Sequence, residues 1–343
     1  MTPTVREFRP ADAKAVADLR RAALPFLLST PQGIAWDVAC APAAQRLRLF
    51  VAELDGRIVG AVRSALLYDS SLPGQSAATP QVHPEHRGRG VGSALLTAAE
   101  AHLTEAGATH LHAWALDEPG ALAFAERRGY HRTRPARSLR LDLRSADLPP
   151  LPSPMPPGVR LCTGADFGAD PRPLFDADAE ATADEPGEVA CDAMTYEDWL
   201  LHTWEHPDID WNLSSVVTVN GAVAAYTLAE VDGLGRYSSG MTGTLRAFRG
   251  RGLARLAKTD SLRRARDAGC TVAFTGNDAT NAPMLAINRA FGYRPFGAEW
   301  RCVRELSRDR DRDGGLDGGR DQDLRPPPPG RLRPVQGDRA AGG

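Results

Sequence analysis

Two short runs in this 343-residue chain carry the residue types that bind phosphate: RGRGVG at 87–92 and RGRGLA at 249–254. Glycine places no Cβ between the backbone and an anion and adopts positive φ freely, so neighbouring N–H groups can converge on one point. Each run precedes a stretch with helical spacing of apolar residues, in the first Leu95, Ala98, Ala99 and Leu103. A helix start exposes unpaired N–H groups and about half a positive charge, which suits phosphate. Arg87, Arg89, Arg249 and Arg251 can add charge-assisted bonds to a diphosphate or a ribose phosphate. Spacing excludes two rival loops. No Gly-Lys pair occurs in the chain, so there is no P-loop. A dinucleotide fingerprint needs a third glycine where Ser93 and Arg255 stand. The plain alternative is that the glycines only pack a helix against a strand.

What fits both runs is [QR]-x-x-G-x-[GA]. In context, VHPEHRGRGVGSALL (82–96) and TLRAFRGRGLARLAK (244–258) resemble the pyrophosphate loop of the GCN5-related N-acetyltransferase (GNAT) superfamily. ALAFAERRGY (121–130) and MLAINRAFGY (284–293) are similar to that family's downstream helix, which runs beside the pantetheine arm. The resemblance implies acetyl-CoA as cofactor. In the first copy it implies contacts from Val82, His83, Arg87, Gly88, Arg89, Gly90, Val91, Gly92 and Ser93. In the second it implies Leu245, Arg246, Arg249, Gly250, Arg251, Gly252, Leu253 and Ala254, with Asn277 and Asn281 bonding the pantetheine amides.

The resemblance also implies a ternary complex in which a small-molecule amine attacks the thioester. The amine must be neutral, yet an alkylammonium with pKa near 10.4 is only about one part in a thousand deprotonated at pH 7. A base or water relay is therefore needed. The carbonyl oxygen needs a donor, commonly a backbone N–H of the central strand. The departing thiolate needs a proton or hydrogen bond, and many members supply a tyrosine four residues before the Gly-[FY] pair. Here that position is Ala125 in the first copy and Asn288 in the second. A positioned acid is worth roughly 10²–10⁴ in rate, so the second copy is expected to be the active one. Its catalytic candidates are Asn288, Glu230 and Tyr237, because neither strand before the glycine loops (75–82, 237–246) carries a carboxylate. Two of the site candidates have a structural alternative: Asn281 as a helix cap, Glu230 as a surface carboxylate. Asp176, Asp178, Glu180, Asp184, Glu185 and Glu188 form either part of an acceptor site or a solvated acidic loop. Mycothiol synthases are a tandem branch of similar length and a narrower alternative, against which Asn288 in the tyrosine position counts. A non-catalytic acyl-CoA-binding protein is the other class.

These residues are positioned by a duplication. TVREFRPAD (4–12) lies over GVRLCTGAD (158–166), and RRGY (127–130) over AFGY (290–293), in the same order as the loops. The period is that of a whole domain, not of a solenoid unit. The division expected is an N-terminal GNAT domain over 1–147, a proline-rich linker over 148–158, a C-terminal GNAT domain over 159–306 and a disordered tail over 307–343. Within the first copy, strands are predicted at 4–9, 47–54, 57–67, 109–116 and 136–143, with helices from Asp12, after the glycine loop, and over 119–128. The second predicts strands near 214–219, 222–231, 237–246, 271–276 and 295–305, and helices over 252–268 and 281–291. Asp55-Gly56 and Asn220-Gly221 read as turns, the first as a hairpin turn. The fold class is α/β: two tandem acyl-CoA N-acyltransferase folds, each a mixed central sheet flanked by helices.

Composition narrows the remaining classes. A net charge of −2 gives no reason to expect nucleic acid. No apolar run reaches the length of a membrane span, and no secretory signal is visible, so a cytoplasmic monomer or homodimer is expected. The five cysteines make no CxxC pair. His202 and His206, or His110 and His112, could pair on a metal, but nothing completes a ligand set, so none is expected.

Overall fold

Turn chemistry sets the first hairpins. Asp55 and Gly56 both adopt positive φ, as do Asn220 and Gly221, and these turns join β2 (Arg48–Leu54) to β3 (Arg57–Leu66) and β8 (Ser215–Val219) to β9 (Ala222–Val231). The computed structural model describes residues 2–184 and 194–306. The expected tail, Glu185 and Glu188 lie outside these. In the first copy the other elements are β1 (Thr4–Glu7), α1 (Ala13–Ala23), α2 (Pro31–Ala39), β4 (Gln75–Val82), α3 (Val91–Glu105), β5 (His110–Leu116), α4 (Pro119–Arg127) and β6 (His131–Asp142). In the second they are β7 (Val159–Thr163), α5 (Arg172–Ala183), α6 (Tyr196–Trp199), β10 (Arg236–Thr244), α7 (Leu253–Asp267), β11 (Val272–Asp278), α8 (Ala282–Ala290) and β12 (Arg294–Glu305).

Alternation along the strands builds a layer on each face. Leu49 and Val51 of β2 pack with Val16 and Leu19 of α1, whereas Phe50, Ala52 and Leu54 pack with Leu95, Ala99 and Leu103 of α3. In the second copy Val216 joins Leu174 and Ala177 of α5, and its neighbour Val217 joins Leu253 and Ala257 of α7. A sheet covered on both faces permits the near-continuous burial of β3 and β9.

Among the described residues twelve strands form one sheet in the order β1-β2-β3-β4-β5-β12-β6-β11-β10-β9-β8-β7. The two copies exchange their last strands. β12 lies between β5 and β6, and β6 pairs antiparallel with both β12 and β11. Ala136 pairs directly with Glu299, and these are equivalent positions, separated by the same 163 residues as Tyr130 and Tyr293. A pseudo-twofold axis therefore passes between them. The start of the 148–158 segment lies against α7, where Arg263 donates to the carbonyls of Leu148 and Pro149.

Candidate active site

In each copy a parallel strand pair opens like a V. β4 pairs with β5 only over Gln75–Ala77 and His110–His112, yet β4 runs on to Val82 and β5 to Leu116. β10 pairs with β11 only over Arg236–Ser238 and Val272–Phe274. Each V points at a glycine loop.

Both loops have the geometry an anion needs. Gly88 and Gly90 have φ of 75° and 81°, Gly250 and Gly252 of 77° and 73°. A Cβ on any of the four would meet nothing within 4 Å. The glycines serve backbone conformation and leave open space, rather than packing helix on strand. Gly90 and Gly252 are the N-caps of α3 and α7 and have no capping side chain, so the first N–H groups of each helix are available to a ligand. Val91 and Leu253 anchor the helices in the core. Arg89 and Arg251 are exposed, the latter 5.6 Å from the Phe248 ring centre.

The loops differ in their neighbours. Arg87 makes one exposed ion pair with Glu118 at 3.3 Å. In the second copy Arg246 is bidentate to Asp184 at 2.7 and 2.9 Å, and Arg249 binds the same carboxylate. Glu180 accepts from the Arg246 backbone N–H at 2.6 Å. Those two arginines hold the Asp184 carboxyl down at about 2. The acidic stretch therefore includes helix α5, whose end ties off the second loop. Asp178 on the same helix accepts from Tyr226 and Trp199.

A cavity of about 520 Å³ runs through the first V, from Arg87, Gly90 and Ser93 past Phe124 and Ala125 to Leu24, Trp114 and Glu299. Its size is that of ordinary cofactor pockets. Val82 and Gly92 line it, whereas the His83 ring accepts from the Glu85 backbone at 3.4 Å. The loop and cavity together fit a diphosphate-bearing thioester.

The second V is built differently. Asn288 is fully buried, and both ends of its amide are engaged: Oδ1 accepts from Lys258 Nζ at 2.7 Å, and Nδ2 donates to Asn277 Oδ1 at 2.6 Å. Its Oδ1 and one of its two Nδ2 hydrogens are thus committed inside the fold, which counts against the role expected for it at a departing sulfur. Lys258, fully buried, was missed in the sequence; it stands where the first copy has Leu96. Burial pushes its ammonium down to about 7. Tyr237 is also no base. It is fully buried, its hydroxyl shares hydrogen bonds with Ser261 and Ser239, and burial pushes it up to about 12. Asn281 caps α8, accepting from the Met284 N–H at 3.3 Å.

Glu230 differs from these. It pairs with Ser238 just before a register shift in β10 between Ser239 and Thr242. A Cβ on Gly240, inside that bulge, would lie 2.8 Å from Glu230 Oε1. The carboxylate thus packs on the bare backbone where the V opens. Burial raises its pKa, the Asp208 charge adds to the rise, and Ser238 and His206 oppose it. His206 itself faces Asp37 at 3.4 Å. Among the described residues no cluster of metal-ligating side chains occurs, and no helix is long and apolar enough to cross a membrane.

Comparison with known proteins agrees with this geometry. The model of the acetyltransferase (GNAT) family matches residues 14–130. The mycothiol acetyltransferase of Acidothermus cellulolyticus is 30% identical over 64% of this chain and 68% of its own length. That of Nocardiopsis dassonvillei is 27% identical over 72% and 78%. Alignments with several further mycothiol acetyltransferases span less than half of those proteins. A tandem GNAT protein from the clavulanic acid biosynthesis pathway has the same fold, with a TM-score of 0.64, 22% identity, and coverage of 88% of this chain and 98% of that one. The chain belongs to the acetyltransferase (GNAT) family in its tandem form, and is an acetyl-CoA-dependent acyltransferase.

Proposed function

We propose that this chain acetylates the primary amine of a small molecule, with turnover in the second copy and Glu230 as the proton acceptor. The position of Glu230, held on the Gly240 backbone at the mouth of the second V, carries this reading. Bound acetyl-CoA supplies the activated acyl group. The Arg249–Ala254 loop holds its diphosphate on the α7 N-terminus. The β10 bulge takes backbone N–H groups out of the ladder with β9, and these donate to the thioester carbonyl. Glu230 takes the ammonium proton, and its raised pKa brings it nearer the acceptor's working pH. The chain Lys258–Asn288–Asn277 holds the Asn277 side chain at the end of β11 through its Oδ1.

The test is release of free thiol from acetyl-CoA across a library of primary amines. Glu230→Gln is expected to lower kcat about 10²–10⁴-fold with coenzyme affinity retained. No amine raising thiol release above background hydrolysis would leave a binding protein without turnover. A mycothiol-type acceptor is a narrower reading within this one, supported by the relatives' names.

A further inference from the structure

The first copy has no counterpart of Glu230; Leu67 and Tyr68 occupy the matching region. Two carboxyl groups line its cavity: Glu118 is paired with Arg87, and the other comes from the second copy. Glu299 lies on β12, which strand exchange inserts beside β5, and it pairs directly with Leu116. Cross-strand partners share a face of the sheet. Ala113 and Ala115 face α3 and the coenzyme side, so Leu116, Trp114 and Glu299 face the opposite side, where the end of α1 closes the cavity with Ala23 and Leu24. Glu299 is half-buried and has no side-chain hydrogen bond or ion pair among the described residues. Its pseudo-twofold mate is Ala136, so the second copy receives only a methyl at this place.

We propose that the first copy is a second acetyl-transfer site, in which Glu299 receives the ammonium of a primary amine carried on an apolar or aromatic arm. The arm would lie on Leu24 and Trp114, with the amine at the carboxyl group and the thioester reaching through the V from the Arg87–Ser93 side. The amine nitrogen forms a bond to the acetyl carbon as the carbon–sulfur bond breaks. The Glu299 carboxylate takes one proton from the ammonium before attack, and the second proton shed by that nitrogen passes through water to the departing sulfur, so coenzyme A leaves as thiol. Burial alone lifts the Glu299 carboxyl to about 7, which suits a group that must accept a proton near neutrality. Ala125 offers the leaving thiol nothing, so this site is expected to be slower than one with a positioned acid.

The probe is 2-phenylethylamine, measured with the full chain in two ways. Calorimetric binding to the protein without coenzyme should weaken about tenfold in Glu299→Gln, as one charge-assisted contact is lost. Acetyl transfer to the same amine should persist in Glu230→Gln and fall about a hundredfold when Glu299→Gln is added. Unchanged binding in Glu299→Gln, no transfer in Glu230→Gln, or an unchanged rate in the double variant would each overturn the proposal. The inference stands apart from the second-copy assignment. If Glu230→Gln acetylates every amine at the wild-type rate, that assignment fails, and Glu299→Gln still decides this one.

Discussion

Lys258 shows how one residue reshapes a duplicated site. Its partner in the first copy, Leu96, lines the cavity, whereas Lys258 fills the matching space with an amine bonded to Asn288 and lying 5.2 Å from the Tyr293 ring centre. A buried amine binds its proton more weakly than an exposed one, here near 7 against 10.5. Between those values the unfolded chain holds more protons than the folded chain, so this group makes stability rise with pH from about 7 to about 10. Lys258→Met should remove that rise. The change in unfolding free energy between pH 6 and pH 9.5, from urea titrations, is expected to differ between wild type and variant by on the order of 2–4 kcal/mol; parallel pH profiles would show that Lys258 stays protonated throughout. The residue was visible in the sequence as a lysine within an apolar helical stripe, but only alignment of the two copies against each other exposes the substitution. Asn288 misled for the complementary reason. Its place in the motif was legible, whereas the partners that consume its amide lie 30 and 11 residues away.

At the scale of elements, the loops and strands were largely legible because their signals are local. The Asp-Gly and Asn-Gly turns fixed two hairpins, and the glycine loops combined backbone freedom with a following helical stripe. Helix α2 was missed although Thr30 caps it and Pro31 opens it; its apolar positions, Ile34 and Val38, are too few to show a period. The acidic stretch beginning at Asp176 read as ambiguous, since the arginines that meet it lie some 60 residues on. That contact has a functional consequence. Arg246 and Arg249 must give up Asp184 to meet a diphosphate, whereas Arg87 faces only a single exposed pair. Asp184→Asn should free both arginines and tighten coenzyme A binding to the second loop about two- to fivefold. The gain should shrink as salt is added. Weaker binding in the variant would instead mean that Asp184 pre-orders the arginines for the ligand.

For the whole molecule, exchange of β6 and β12 is the feature that no local pattern announces. An antiparallel strand shows its buried face in its alternation but not which neighbour it will pair with, and a partner 130 or more residues away leaves no mark on either segment. Yet the exchange decides how the protein holds together. The two central strands belong to opposite copies, and each copy's sheet is closed by the other's last strand. Tearing the copies apart would open β5 and β11 as raw edges and strand the β6–β12 pair between them. The copies should therefore unfold as one. Leu95 in the first copy and Leu262 in the second are both fully buried, in separate clusters, and truncation of either to alanine should cost about 2–5 kcal/mol. If the halves were independent, Leu262→Ala would split the calorimetric scan into an early transition for one copy and an unchanged one for the other. The shared sheet predicts that Leu95→Ala and Leu262→Ala each shift a single transition downward, with calorimetric and van't Hoff enthalpies still equal.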